Sequence, residues 1–194
     1  MPLAGRPLIE WSLEAFGDCD SVQAVVVAAP PGLRCELGVG VRVVDGGATR
    51  AASVANALAA VETEVVAIHD AARPLVTAAL VEALVEALEA TPEVAGVIAA
   101  APVTDTVKRG RDGRVLVTED RSTLWAAQTP QVFRTEALRE ALRVDERTRD
   151  AATDEAMLVE AAGGIVLIHP SGPENLKVTT SHDLRLAELL LGER

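Results

Sequence analysis

The sequence predicts an α/β fold built on a doubly wound, mostly parallel β-sheet. Three observations carry that prediction. Val-rich segments alternate with Ala/Leu/Glu-rich segments along the 194 residues. The first Val-rich run, Val22–Ala29, is nearly continuous rather than alternating, as in a strand covered on both faces. Polar loops bearing Gly, Asp, Arg, Thr and Lys follow the strand segments, where open α/β sheets bind ligands.

Taken in order, Pro2 to Arg6 reads as a loop. Pro7–Phe16 reads as a helix with Pro7 at its first position and Leu8, Trp11, Leu13 and Phe16 as apolar members. Pro30-Pro31-Gly32 ends the first strand. Val41–Val44 is a second strand, Asp45-Gly46-Gly47 a turn and Arg50–Ala60 a helix. Glu64–His69 is a third strand, followed by the loop Asp70-Ala71-Ala72-Arg73-Pro74. Thr77 caps a helix running to about Ala90, and Val94–Ala101 is a fourth strand. Val103–Thr118 then carries two β-like pieces around Asp112-Gly113, a hairpin signal. An isolated hairpin is rarely stable alone, so this one is expected to pack against something, such as another subunit. Helices follow near Thr135–Arg143, Asp154–Ala162 and Ser181–Leu191, with a last strand at Ile165–His169.

Composition narrows the function. A net charge of −11 argues against general nucleic-acid binding, although a few focused cations can still attract an anionic substrate. Cys19 and Cys35 have neither metal-ligand spacing nor a disulfide framework, which suits a reducing cytoplasm. No stretch is long and apolar enough to span a membrane, and Met1-Pro2-Leu3-Ala4-Gly5 does not resemble a signal peptide. With only Trp11, Trp125, Phe16 and Phe133 as aromatics, the core falls to Ala, Val, Leu and Ile, and Trp125 is expected inside it.

The loops after the strands hold a set suited to phosphate and hydroxyl ligands. Each also has a plain structural reading. Gly46-Gly47 makes a tight turn and Ser53 faces solvent; Asp70 caps its turn and pairs with Arg73; Thr106 and Thr129 pack in β context; Thr153 with Asp154-Glu155 caps a helix; Lys177 is a surface lysine.

In order along the chain, six segments resemble one family: Gly46-Gly47-x-x-Arg50-x-x-Ser53-Val54, His69-Asp70-Ala71-Ala72-Arg73-Pro74, Ala101-Pro102-Val103-Thr104-Asp105-Thr106-Val107-Lys108, Gln128-Thr129-Pro130-Gln131-x-Phe133, Thr153-Asp154-Glu155-Ala156 and Asn175-x-Lys177-Val178-Thr179. The family is that of the 2-C-methyl-D-erythritol 4-phosphate cytidylyltransferases, and the resemblance covers nearly the whole chain. It implies a Rossmann-like nucleotidyltransferase fold over residues 1–194 with a protruding β-hairpin arm, 103–121, that reaches into a second subunit of a homodimer. It implies cytidylyl transfer from CTP to methylerythritol phosphate with Mg²⁺. Gly46, Gly47, Ser53 and Ala71 would hold the nucleotide. Asp70 would lie by the ribose, phosphates and, indirectly, the metal. Arg73, Thr106, Thr129, Thr153 and Lys177 would bind the acceptor, and Arg121 with Lys177 would fix its attacking phosphate.

Two departures from the family stand out. Relatives open with a strand and a Gly-rich loop bearing an Arg and a Pro-Lys pair, whereas this chain starts at Met1-Pro2-Leu3-Ala4-Gly5-Arg6-Pro7. The retained Arg73, Arg121, Thr153 and Lys177 favour an N-terminally shortened enzyme over a naturally short, crippled chain. Ala48 stands where relatives often carry an acidic residue. The rival readings are a ribitol 5-phosphate or other sugar-alcohol phosphate cytidylyltransferase, and an inactive partner subunit.

Overall fold

The computed structural model of the chain describes residues 2–33, 37–38 and 40–193, so Cys35 lies outside the described residues. Instead of a loop, the start forms a small antiparallel hairpin, β1 (Pro2–Leu3) with β2 (Arg6–Pro7), turning on Ala4 and Gly5 at positive φ. Pro7 is consequently the extended N-cap of helix α1 (Leu8–Gly17) rather than its first turn. Leu3 is fully buried against Leu75, Val178 and Ala187, and Trp11 donates its indole N–H to the Leu3 carbonyl.

β3 (Val25–Ala29) and β4 (Val41–Asp45) pair in parallel. Helix α2 (Arg50–Leu58) starts at Thr49, whose side chain accepts from the Ala52 N–H, and crosses to β5 (Val65–Ile68). Thr77 caps α3 (Ala78–Glu89) in the same way, as its sequence predicts. β6 (Gly96–Pro102) follows, then the arm strands β7 (Lys108–Arg111) and β8 (Arg114–Thr118). The arm turns on Asp112 and Gly113, both at positive φ, the geometry the Asp-Gly pair favours. All its strand residues are exposed.

After a 3₁₀ turn (Arg121–Thr123) comes β9 (Trp125–Arg134), a ten-residue strand absent from the sequence reading. It runs antiparallel to both β5 and β6 in the order β10-β6-β9-β5, so the sheet is mixed where it was expected to be mostly parallel. Trp125 begins β9 and is 38% exposed, not core, because its partner Pro102 lies at the outer end of β6. Helices α4 (Thr135–Ala141), α5 (Glu146–Ala151) and α6 (Glu155–Ala161) precede β10 (Val166–Pro170), which pairs in parallel with β6. Helix α7 (Ser181–Gly192) begins with a Thr180/Asp183 capping box.

Strand alternation sorts the core onto two faces. Val97, Ala99 and Val132 pack with Leu84 and Leu88 of α3, while Ile98 and Phe133 pack on the other side with Leu138, Leu158 and Val159 of α4 and α6. That is the double winding the sequence predicts. β3 departs from expectation: Val25, Val26 and Val27 are only half-buried.

Candidate active site

The carboxyl ends of β3, β4 and β5 meet at one end of the molecule, because loop contacts tie them together. The Gly46 N–H donates to the Ala29 carbonyl at 2.7 Å, joining the ends of β4 and β3. Gly47 then runs so close to α2 that a Cβ would lie 2.3 Å from the Cβ of Ala52. Its N–H donates to Ser53 Oγ at 3.0 Å, and Ser53 Oγ–H donates to the Thr49 carbonyl at 2.9 Å. Ser53 therefore braces the Gly46-Gly47 turn from the first turn of α2, and does not simply face solvent.

Four charged side chains from distant segments converge beside that turn. Arg50 Nε donates to Asp70 Oδ1 at 2.9 Å, and Lys177 Nζ donates to Asp70 Oδ2 at 2.7 Å. The other end of Arg50 reaches Glu155, whose Oε1 and Oε2 both lie 2.8 Å from Nη1. Burial works against ionisation of Asp70, but the hydrogen bonds and charges of Lys177 and Arg50 outweigh it and hold the carboxyl below its usual range. Burial pushes Glu155 up, against the pull of Arg50. Arg50 is desolvated too, but Glu155 and Asp70 more than compensate and raise it.

A second, neutral network supports the Asp70 loop. The bulged middle of β9, between its two stretches of pairing with β6, frees Gln128 and Thr129 for loop contacts. The Asp70 N–H donates to Thr129 Oγ1 at 3.0 Å, and Thr129 Oγ1 lies 3.1 Å from His69 Nδ1. His69 Nε2 lies 3.1 Å from the Arg73 carbonyl, which only accepts. Nε2 therefore carries the ring proton, and the Thr129 hydroxyl donates to Nδ1. Burial drives the His69 pKa down to about 4, so the ring is neutral.

Arg73 Nη1 donates to the Asn175 carbonyl at 2.7 Å, and burial lowers its pKa. Arg73 thus hydrogen-bonds carbonyls rather than Asp70. Asn175 donates to Gln128 Oε1 and the Thr129 carbonyl, both at 2.9 Å, and the Val178 N–H donates to the Ala72 carbonyl at 2.7 Å. These bonds place Lys177 over the Asp70 loop.

The remaining sequence-predicted residues lie elsewhere. Ala71 is exposed in the turn closed by the Arg73 N–H and Asp70 carbonyl. Thr153 is exposed and its hydroxyl faces Met157 Sδ at 3.9 Å; the cap of α6 is Asp154, which accepts from the Met157 N–H. Thr106 is exposed at the root of the arm. Arg121 is exposed in the 3₁₀ turn after the arm, with Nη1 donating to the Thr104 carbonyl. Sequence reasoning gave no role to Arg50, Glu155 or His69. Arg50 and His69 stood inside quoted motifs, and the Glu next to a cap was absorbed into the helix start.

The profile of the 2-C-methyl-D-erythritol 4-phosphate cytidylyltransferase family matches residues 1–193. A cytidylyltransferase of that name from Symbiobacterium thermophilum is 43% identical over 201 residues, covering 100% of this chain and 84% of the relative. A bifunctional IspD/IspF enzyme from Anaeromyxobacter dehalogenans is 44% identical over 200 residues; the match takes in 97% of this chain and about half, 51%, of that longer protein. Among solved structures, the enzyme from Thermus thermophilus superposes with a TM-score of 0.87 at 37% identity, covering 98% of this chain and 92% of the other.

Proposed function

The chain belongs to the 2-C-methyl-D-erythritol 4-phosphate cytidylyltransferase family, and from that membership we propose how its residues divide the work. The reaction transfers a cytidylyl group from CTP to methylerythritol phosphate, releasing pyrophosphate in isoprenoid-precursor synthesis. An acceptor phosphate oxygen bonds to the α-phosphorus of CTP as the bond to the pyrophosphate breaks. Such a transfer needs alignment and positive charge more than covalent help. The observation that carries the assignment is the convergence of Arg50, Asp70 and Lys177, which stand in three separate motifs.

In our reading, Lys177 and Arg121 fix the acceptor phosphate, Lys as a point charge and Arg as a fork, and Arg73 lines the acceptor pocket beside them. Lys177 rests on Asp70, so a bound phosphate exchanges one anionic partner for another. Thr129 and Thr153 would complete the acceptor side. The Gly46-Gly47 turn, braced by Ser53, would read the cytosine with backbone groups, and Ala71 would flank it. Arg121 and Thr106 would serve through the arm (103–121), inserted into the other subunit of a homodimer. The exposed Val115, Leu116 and Val117 on the arm support that reading.

Mg²⁺ fits the donor set in one respect. Asp70 is held ionised at the strand end, and one carboxylate together with substrate phosphate oxygens is an ordinary Mg²⁺ environment. The ion would supply charge neutralisation at the phosphates. Among the described residues no helix is long and apolar enough to cross a membrane. Our placement of the enzyme in the cytoplasm rests on Cys19 and Cys35 lacking a disulfide framework.

Pyrophosphate release from CTP and Mg²⁺, with methylerythritol phosphate or ribitol 5-phosphate as acceptor, tests the assignment. Release with the first acceptor is expected. Release only with ribitol phosphate would reverse the acceptor.

A further inference from the structure

The two oxygens of Asp70 hold two cations that differ in freedom. Oδ1 accepts from Arg50 Nε at 2.9 Å and Oδ2 from Lys177 Nζ at 2.7 Å. The Lys177 side chain is 43% exposed, and Asp70 is its only hydrogen-bond partner among the described residues. An ammonium on a flexible stem can turn from one anion to another. Arg50 is not free in that way, because its Nη1 lies 2.8 Å from each oxygen of Glu155, a carboxylate only 1% exposed.

Glu155 is itself fixed from the sheet. Its neighbour Asp154 accepts from the Met157 N–H with one oxygen and from Gln131 Nε2 with the other, at 3.0 and 2.9 Å. Gln131 is buried in β9, and Ala156, Leu158 and Val159 pack the helix against the core. Capping of α6 does not call for Glu155, because Asp154 does it. A buried ion pair also gains little net stability over an apolar pair of the same size. What the placement of Glu155 does achieve is to immobilise Arg50.

We propose that Glu155 is a positioning residue for the transfer: it anchors Arg50, so that Asp70 keeps one cation in place while Lys177 turns to the acceptor phosphate. The inference rests on the reading that Lys177 takes that phosphate. Without the anchor, the planar fork of Arg50 is free to meet both Asp70 oxygens and displace Lys177. It is equally free to follow the phosphate, which leaves Asp70 to compete for Lys177. Both outcomes misplace Lys177 at the moment of attack. The Gly46-Gly47 turn keeps its own bonds to Ser53 and Ala29, so the loss falls on turnover and not on CTP binding.

Glu155→Gln keeps the shape and removes the charge. It should lower kcat by about tenfold or more and leave KM for CTP within about twofold. Arg50→Lys, a point charge that cannot serve Glu155 and Asp70 together, should do the same, and the double variant should be no worse than either. Val159→Ala loosens the same helix from its buried side and should leave kcat unchanged. Nitrogen-15 spectra read the geometry without turnover. On titrating the wild-type protein with methylerythritol phosphate, the Lys177 ammonium signal should shift and the Arg50 Nε signal should stay; in Glu155→Gln both should move. If Lys177 does not shift, the reading of Lys177 fails and the inference with it. If Lys177 shifts but Arg50 moves equally in the wild type, the positioning role alone is overturned. Full kcat in Glu155→Gln, additive losses in the double variant, or an equal loss in Val159→Ala would overturn it too.

Discussion

Arg50 and Glu155 form an ion pair at 2.8 Å in which the carboxylate side chain is 1% exposed and the guanidinium 36%. The pair joins the start of α2 to the start of α6, and its Arg also holds Asp70. Breaking such a pair from one side leaves a buried charge without compensation. Arg50→Ala is therefore expected to cost about 2–3 kcal/mol, the low side for a buried pair because the Arg is partly solvated. Urea unfolding measures it, and adding Glu155→Gln to Arg50→Ala should recover part of the loss.

His69 makes stability depend on pH. Its folded pKa, about 4, lies below the ordinary 6.5, so the unfolded chain binds its proton first as pH falls. The contribution is complete above the unfolded value and is lost between roughly pH 6.5 and pH 4, with stability rising as pH rises across that window. From pH 7 to pH 5 the loss should be about 2 kcal/mol. His69→Gln should flatten that slope in urea titrations. Nitrogen-15 spectra of the ring should show the proton on Nε2 at neutral pH.

Gly47→Ala should disturb the site more than its size suggests. The added methyl would lie 2.3 Å from the Ala52 Cβ and 2.8 Å from the Ala52 carbonyl carbon, so the helix start itself must shift. A loss of about 1–3 kcal/mol is expected, with a raised KM for CTP. Ser53→Ala keeps the shape but leaves the Gly47 N–H without its acceptor, and should cost about 1 kcal/mol.

Lys177→Ala and Arg121→Ala should each lower turnover by about 10²-fold or more if they align the attacking phosphate. Stopped-flow or steady-state pyrophosphate release reads this, and unchanged kinetics would remove either residue from the site. Leu116→Asp on the exposed arm should shift the protein from dimer to monomer in sedimentation and lower activity with it.

Most of the helices were legible because their signals are local, although the short α5 and the opening hairpin were not read. Thr77 is a cap written in sequence, and Asp112-Gly113 specifies its turn by the φ values it tolerates. β9 was not legible. Its residues are divided by a bulge, and Gln128, Thr129 and Pro130 at its centre break the period-two pattern that marks a strand. The motifs named Asp70, Ser53 and Lys177, which do come together. Glu155 stood inside a quoted motif but was given no role, because a Glu in the first turn of a helix has an ordinary reason to be there. Thr153 was misread as the cap because Asp154, one residue on, offers the same acceptor to the Met157 N–H.

The four-residue charge cluster has a kinetic corollary. Its two cations and two carboxylates cancel, and Arg73 beside them leaves a surplus of one positive charge in a chain of net charge −11. A phosphorylated substrate therefore approaches a molecule of its own sign, and attraction begins only at close range. Added salt shortens the reach of that repulsion, to about 10 Å at 0.1 M, and leaves the partly buried cluster much less affected. Substrate capture should accordingly quicken with ionic strength at the dilute end. That is the reverse of an enzyme that steers its substrate in, and capture rates followed against salt concentration measure it.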